Sequence, residues 1–168
     1  PERLCIELVN DALQANPRCA FLNYCSLSHM NPSGGVMLED KVTGSTFEVI
    51  PKVVVNATGA WIDQTNLAME GETSFIGGTK GSHLVINNRE LYEATQGQML
   101  FYENAEGRIC ILFPIHGNVL VGSTDVRIDH PDHVVCEPWE VAYMLESVKQ
   151  VFPSIDIKPS EIVFRFTG

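Results

Sequence analysis

A run of β-branched residues that stops on three tiny ones limits what this chain can fold into more than any other stretch. Val53-Val54-Val55 leads through Asn56 to Ala57-Thr58-Gly59, with Ala60-Trp61 beyond. An uninterrupted β-branched run reads as a strand covered on both faces. Tiny residues at its carboxyl end leave space for a flat group against the backbone, and open α/β sheets bind ligands outside the carboxyl ends of their strands. A plain strand-to-helix turn, with Gly59 supplying an unusual φ, accounts for the same residues. Both readings stand on this stretch alone.

The flanking sequence supplies the rest of a layered domain. Leu4, Leu8 and Ala12 recur at helical spacing over residues 2–14, and Asn16-Pro17 ends that helix. Residues 19–27 read as a strand. Residues 36–40 and 45–50 read as a hairpin around Thr43-Gly44 that feeds the 53–56 strand through Pro51. Residues 60–69 read as a helix, with Asp63 in its first turn, where a carboxylate suits the helix dipole and free N–H groups can face a ligand. From Gly71 the character changes. Strand-like runs at 79–86, 98–103, 108–115 and 118–123 have short connections, the last through His116-Gly117, which implies an antiparallel sheet. An amphipathic helix over 140–152, with Pro138 near its start, and a strand over 161–166 returning to the sheet complete the pattern.

Within 79–86 a two-residue period puts Gly81, His83 and Val85 on one face and Lys80, Ser82, Leu84 and Ile86 on the other. The His83 imidazole is then either a satisfied core group or one turned into a cavity, with Gly81 leaving space beside it. Neutral imidazole titrates near physiological pH and suits removal of a hydroxyl proton. Lys80 is expected in solvent, Arg165 in a surface ion pair, and Asp125 as the cap of a strand-end turn after Ser123-Thr124. His29, His116, His130 and His133 lack metal-ligand spacing and read as surface loop histidines.

The stretch from Val54 to Trp61 resembles the second flavin-contact motif of FAD-dependent oxidoreductases of the glycine oxidase and D-amino acid oxidase kind. Gly78-Thr79-Lys80-Gly81-Ser82-His83-Leu84, then Phe113-Pro114 with Val121-Gly122-Ser123-Thr124-Asp125, then Phe164-Arg165-Phe166-Thr167-Gly168 follow it. Their order and spacing resemble the FAD-dependent glycerol-3-phosphate dehydrogenases over nearly the whole chain. The resemblance implies an α+β fold: residues 1–70 as the later part of an α/β FAD-binding layer, and residues 71–168 as an antiparallel substrate domain with a packed helix. It implies FAD as cofactor, touched by the backbone of Ala57, Thr58 and Gly59, with Trp61 nearby and Leu27 on a strand beneath the adenine. It makes His83 the base that takes the substrate hydroxyl proton, and it gives Thr124 a place in the substrate pocket. The implied reaction converts sn-glycerol 3-phosphate to dihydroxyacetone phosphate by hydride transfer from C2 to FAD N5, with quinone or oxygen as electron acceptor. The tiny residues then form a floor for the isoalloxazine, with the imidazole above it.

Two other readings remain open. An amine or amino-acid oxidase of the same superfamily needs a carboxylate-binding arginine, for which Arg108, Arg127 and the loop residue Arg89 are available. The chain can also be a non-catalytic module. It has no G-x-G-x-x-G loop, and the family's phosphate-binding arginine falls just past the position of Gly168. It therefore reads as an excised middle portion of a longer enzyme, inactive alone and not expected to copurify yellow, or only weakly.

Charge and composition narrow the partners. A net charge of −10 argues against nucleic acid, whose phosphates need a basic face, and against simple electrostatic adhesion to anionic lipid. No apolar run approaches the roughly 20 residues of a spanning helix. Cys5, Cys19, Cys25, Cys110 and Cys136 are odd in number and lack C-x-x-C spacing, which fits free thiols in a reducing cytoplasm better than disulfides or zinc. A cytoplasmic location is expected, with peripheral contact to the inner membrane open to the full-length enzyme.

Overall fold

Alternation of apolar and polar residues writes a one-sided sheet into the second half of the chain, and the computed structural model, which describes residues 2–168, contains it. The chain divides into two units, one ending at Phe75 and the other Ile76–Gly168. The fold class is α+β.

The first unit begins with helix α1 (Glu2–Ala15), whose apolar stripe is left open, with Leu4 and Leu8 both exposed. Strands β1 (Cys25–Met30), β2 (Val36–Asp40) and β3 (Thr46–Val49) form an antiparallel sheet in that order. Asp40 closes the β2–β3 hairpin by accepting from Val42 N–H (2.8 Å) and Thr43 Oγ1 (2.9 Å), and Gly44 supplies φ +73°. A 3₁₀ turn (Gly59–Trp61) leads into helix α2 (Ile62–Ala68), which packs on β1.

Three expectations are corrected here. Residues 53–56 are not a strand, and Val53 and Val55 are 76% and 82% exposed. A strand exists only through a hydrogen-bonded neighbour, and no described strand pairs with this run; all pairing among the described strands is antiparallel. The segment is held instead at Asn56, whose Nδ2 donates to Ile62 O (2.9 Å) and Asn66 Oδ1 (2.6 Å). The strand expected over 19–27 begins only at Cys25, because β2 is its partner and the register starts at the Cys25–Asp40 pair. Asp63 does more than sit on a dipole: it accepts from Thr73 Oγ1 (2.7 Å) and Phe75 N–H (2.9 Å), tying down the loop after α2.

The second unit holds strands β4 (Thr79–Lys80), β5 (Ser82–Ile86), β6 (Leu100–Glu103), β7 (Ile109–Ile115), β8 (Asn118–Gly122), β9 (Val126–Arg127) and β10 (Ile162–Thr167). Helices α3 (Arg89–Ala94) and α4 (Pro138–Val151) lie between them in the chain. Five strands form one antiparallel sheet in the order β10-β5-β8-β7-β6, and β4 pairs with β9. His116 and Gly117, at φ +47° and +77°, make the tight β7–β8 turn, two positive φ values in succession as the twist of a hairpin favours. One sheet face carries Leu84, Ile86, Leu112, Val119 and Val121, all fully buried beneath Met144 and Val148 of α4. Each such side chain contributes roughly 1.5–3 kcal/mol by leaving water. Pro138 opens α4 at its first position, and Glu137 with Glu140 forms a capping box there.

The expected 79–86 strand is broken at Gly81. Its N–H and C=O pair with Gly168 (2.7 and 3.0 Å), and a Cβ there would lie 3.1 Å from Thr124 O. Arg89 is not in a loop: it opens α3, because the Asn88 side chain accepts from Leu91 N–H (2.9 Å) and caps the helix.

Candidate active site

Cross-strand pairing places His83 on the sheet face opposite α4, between the edge strand β10 and the central strand β8. Direct partners across a sheet share a face, and the register runs Phe101–Ile111–Gly122–His83–Phe166 over five strands. The adjacent row is Phe113–Leu120–Val85–Phe164. Phe101, Phe164 and Phe166 are exposed, so this face is apolar and open, with one imidazole set into it. The ring stacks on Phe166 at a centroid distance of 5.0 Å and 8° between planes. Its other edge rests on Gly122, where a Cβ would collide with Cδ2 and lie 2.6 Å from Nε2.

The imidazole is half-buried, and desolvation holds its pKa below the ordinary 6.5. It is therefore neutral at pH 7 and able to take a proton. Nδ1 is buried and has no hydrogen-bond partner. A buried polar atom without a partner is costly and rare.

The opposite face carries a charged cluster that the sequence did not reveal. Lys80, expected in solvent, is buried: Nζ donates to Glu140 Oε2 (2.6 Å) and to the carbonyl of Val135. Its face of the strand is the one with Leu84 and Ile86, so the core claims it too. Glu140, fully buried, also accepts from Glu137 N–H (2.8 Å), Ser82 Oγ (2.8 Å) and Thr124 Oγ1 (2.6 Å). Thr124 Oγ1 in turn accepts from Ser82 N–H (2.9 Å). This corrects the pocket position expected for Thr124, whose hydroxyl is engaged on the α4 side of the sheet while His83 points the other way.

Burial alone would raise the Glu140 carboxyl, but the hydrogen bonds from Lys80, Thr124, Glu137 and Ser82 outweigh it and hold the pKa at about 2, below the ordinary 4.5. A depressed carboxyl stabilises the fold fully above its unfolded value, and the stabilisation is lost as pH falls through the folded one. Thermal melts followed by circular dichroism should accordingly show the Tm of the second unit dropping between pH 4.5 and about 2. A flat Tm across that window would contradict the network.

Arg108 is also committed. Nε donates to Ser123 O (3.0 Å), one terminal nitrogen to Thr124 O (2.9 Å), and the other pairs with Asp125 at 3.0 Å. Asp125, expected to cap a strand-end turn, is thus an ion-pair partner instead. Arg89 pairs with Glu93 at 2.8 Å. Arg165, expected in an ion pair, forms none among the described residues.

In the first unit, Leu27, Thr58 and Trp61 line one cleft of about 530 Å³ between β1 and α2, together with Cys25, Gln64 and Thr65. Such a volume lies in the range of small-molecule sites. Thr58 Oγ1 donates to Asn56 Oδ1 (2.8 Å) and lies 3.1 Å from Thr65 Oγ1, which fixes the cleft wall. Ala57 and Gly59 are exposed beside it rather than lining it. Gly59 has φ +60° with nothing near a would-be Cβ, so the backbone rather than crowding demands glycine there.

All 168 residues match the family described as FAD dependent oxidoreductase (DAO). The chain belongs to the FAD dependent oxidoreductase family. Among curated relatives it is 28% identical to the aerobic glycerol-3-phosphate dehydrogenase of Bacillus subtilis, over 99% of this chain and 30% of that protein. It is likewise 28% identical to the glycerol-3-phosphate dehydrogenase of Synechocystis, over 99% of this chain and 32% of that protein. The chain thus spans about a third of the length of these relatives. Among solved structures, the glycerol-3-phosphate dehydrogenase from Bacillus halodurans complexed with FAD superposes with a TM-score of 0.74 at 25% identity, covering 88% of this chain and 30% of that one. FAD is the cofactor of the family, and the cleft of the first unit, apolar with hydroxyls at its wall, suits such a group. No helix among the described residues is long and apolar enough to cross a membrane.

Proposed function

We propose that this chain is part of an enzyme that oxidises sn-glycerol 3-phosphate to dihydroxyacetone phosphate. The observation that carries the reading is His83: neutral, set into an open apolar face, stacked on Phe166, and with Nδ1 unpartnered. Bound FAD supplies a two-electron acceptor for the hydrogen leaving C2. The His83 imidazole accepts the proton from the C2 hydroxyl, so the oxygen can form the carbonyl as the hydride departs. Phe166, stacked on the ring, and Phe164 beside it provide an apolar surround that limits water at the imidazole. Leu27, Thr58 and Trp61 contribute to holding the cofactor, with the backbone at Ala57 and Gly59 adjoining. Residues 1–70 serve the cofactor and residues 71–168 the substrate. Electrons pass on to a quinone or to oxygen, and the enzyme works in the cytoplasm, with peripheral contact to the inner membrane open to the full-length protein.

Of the three arginines open to an amino-acid oxidase, Arg108 is committed to Ser123, Thr124 and Asp125 and Arg89 to Glu93, so that reading rests on Arg127. A substrate screen of the full-length flavoprotein tests the proposal. Turnover of sn-glycerol 3-phosphate and none of glycine or D-amino acids is expected; the reverse pattern would overturn it.

A further inference from the structure

His83 is held by two strands, β5 through its own backbone and β8 through Gly122 beneath the ring. On the other side of the sheet β5 and the segment just past β8 are tied to a single carboxylate. Ser82, the residue before His83, donates to Glu140 Oε1 at 2.8 Å. Thr124, two residues past Gly122, donates to the same oxygen at 2.6 Å and accepts the Ser82 N–H at 2.9 Å. Lys80, just ahead of the Gly81 break, donates to Oε2 at 2.6 Å. Ser82 Oγ also lies 3.1 Å from Thr167 Oγ1, next to Phe166 on β10. β5 and the segment just past β8 thus converge on one group at the start of α4, and β10 reaches it through Ser82. A greasy contact would pack these strands as firmly. A carboxylate with four donors also fixes direction, because each hydrogen bond is met only in one register.

We infer that Glu140 is a positioning residue: acting through Ser82 and Thr124, it sets the place of the His83 imidazole over Gly122. The inference rests on the proposed role of His83 as base. Glu140 touches neither substrate nor cofactor. It holds β5 and the end of β8 so that the ring stays wedged between Phe166 and Gly122, neither of which carries charge.

The test uses Lys80→Met/Glu140→Leu in the full-length holoenzyme. Replacing a buried ion pair by apolar groups of similar size commonly preserves folding. A positioning role predicts that kcat falls about tenfold or more, with KM and flavin content little changed. Thr124→Val should lose activity in the same sense, and Thr124→Ser, which keeps the hydroxyl, should restore it. A second readout needs neither substrate nor cofactor: the His83 imidazole resonance followed by NMR titration. In the double variant and in Thr124→Val its midpoint should move up toward the ordinary histidine value as the ring leaves its buried seat, and in Thr124→Ser it should not move. Folded variants with an unchanged midpoint and unchanged kcat would overturn the inference. If the parent enzyme does not oxidise glycerol phosphate, the proposed function fails, while the NMR comparison still decides the role of Glu140.

Discussion

Gly122→Ala is expected to cost the full-length enzyme about 100-fold or more in kcat, with the protein still folded and still yellow. The argument is steric. The new methyl would occupy the space of the His83 ring edge, colliding with Cδ2 and lying 2.6 Å from Nε2. Gly122 sits in β8 without a positive φ, so alanine suits the backbone, and the three nearest atoms the methyl meets all belong to the imidazole. The ring is hemmed in on its other side by Phe166 at 5.0 Å, and it can clear the methyl only by leaving the stack. A displacement on the order of 1 Å at a reacting group costs about 100-fold in rate. Steady-state kinetics beside a flavin absorbance spectrum would check this; a kcat within a factor of about two of the parent would mean that the imidazole does not work from this seat.

The second large effect is on stability. Glu140→Ala strips the acceptor from Lys80, Ser82 and Thr124 together and leaves an ammonium group in the interior. Removing one partner of a buried pair costs about 3–5 kcal/mol, far more than the pair contributes over an apolar substitute. For a unit of this size that corresponds to a Tm lower by more than about 10 °C. Arg89→Ala, which removes the exposed pair with Glu93, should leave Tm unchanged within error and serves as control. Equal Tm values for the two variants would show that the Lys80–Glu140 contact is not made in solution. The contrast with Lys80→Met/Glu140→Leu matters, because a single deletion tests the unpaired charge while the double replacement tests the geometry.

Particular residues show what the sequence could and could not convey. Alternation over 79–86 placed His83 and Val85 opposite Leu84 and Ile86, and the burial in β5 follows that alternation, because strand periodicity is a local property of the backbone. The hairpin at His116-Gly117 and the helix after Pro138 were legible for the same reason. Lys80 was misjudged although it shares a face with Leu84 and Ile86: a cation on an apolar face demands a buried partner, and that signal was present. The partner itself was not legible. Glu140 lies 60 residues away at the third position of a helix, where a glutamate is ordinary and advertises only a capping box. Val53-Val54-Val55 failed in the other direction. Residue type is a prior for a strand, but pairing is non-local, and no described strand lies beside this run. Leu27 was put beneath the adenine by resemblance alone; nothing in its neighbours distinguishes it from other apolar residues of β1.

The most direct test mixes the full-length flavoprotein with sn-glycerol 3-phosphate without oxygen and follows the loss of flavin colour in a stopped-flow cell, parent against His83→Asn. Rapid bleaching in the parent and bleaching about 100-fold slower in the variant, at equal flavin content, is the predicted outcome. Bleaching at the same rate in both would contradict the assignment of the proton to His83.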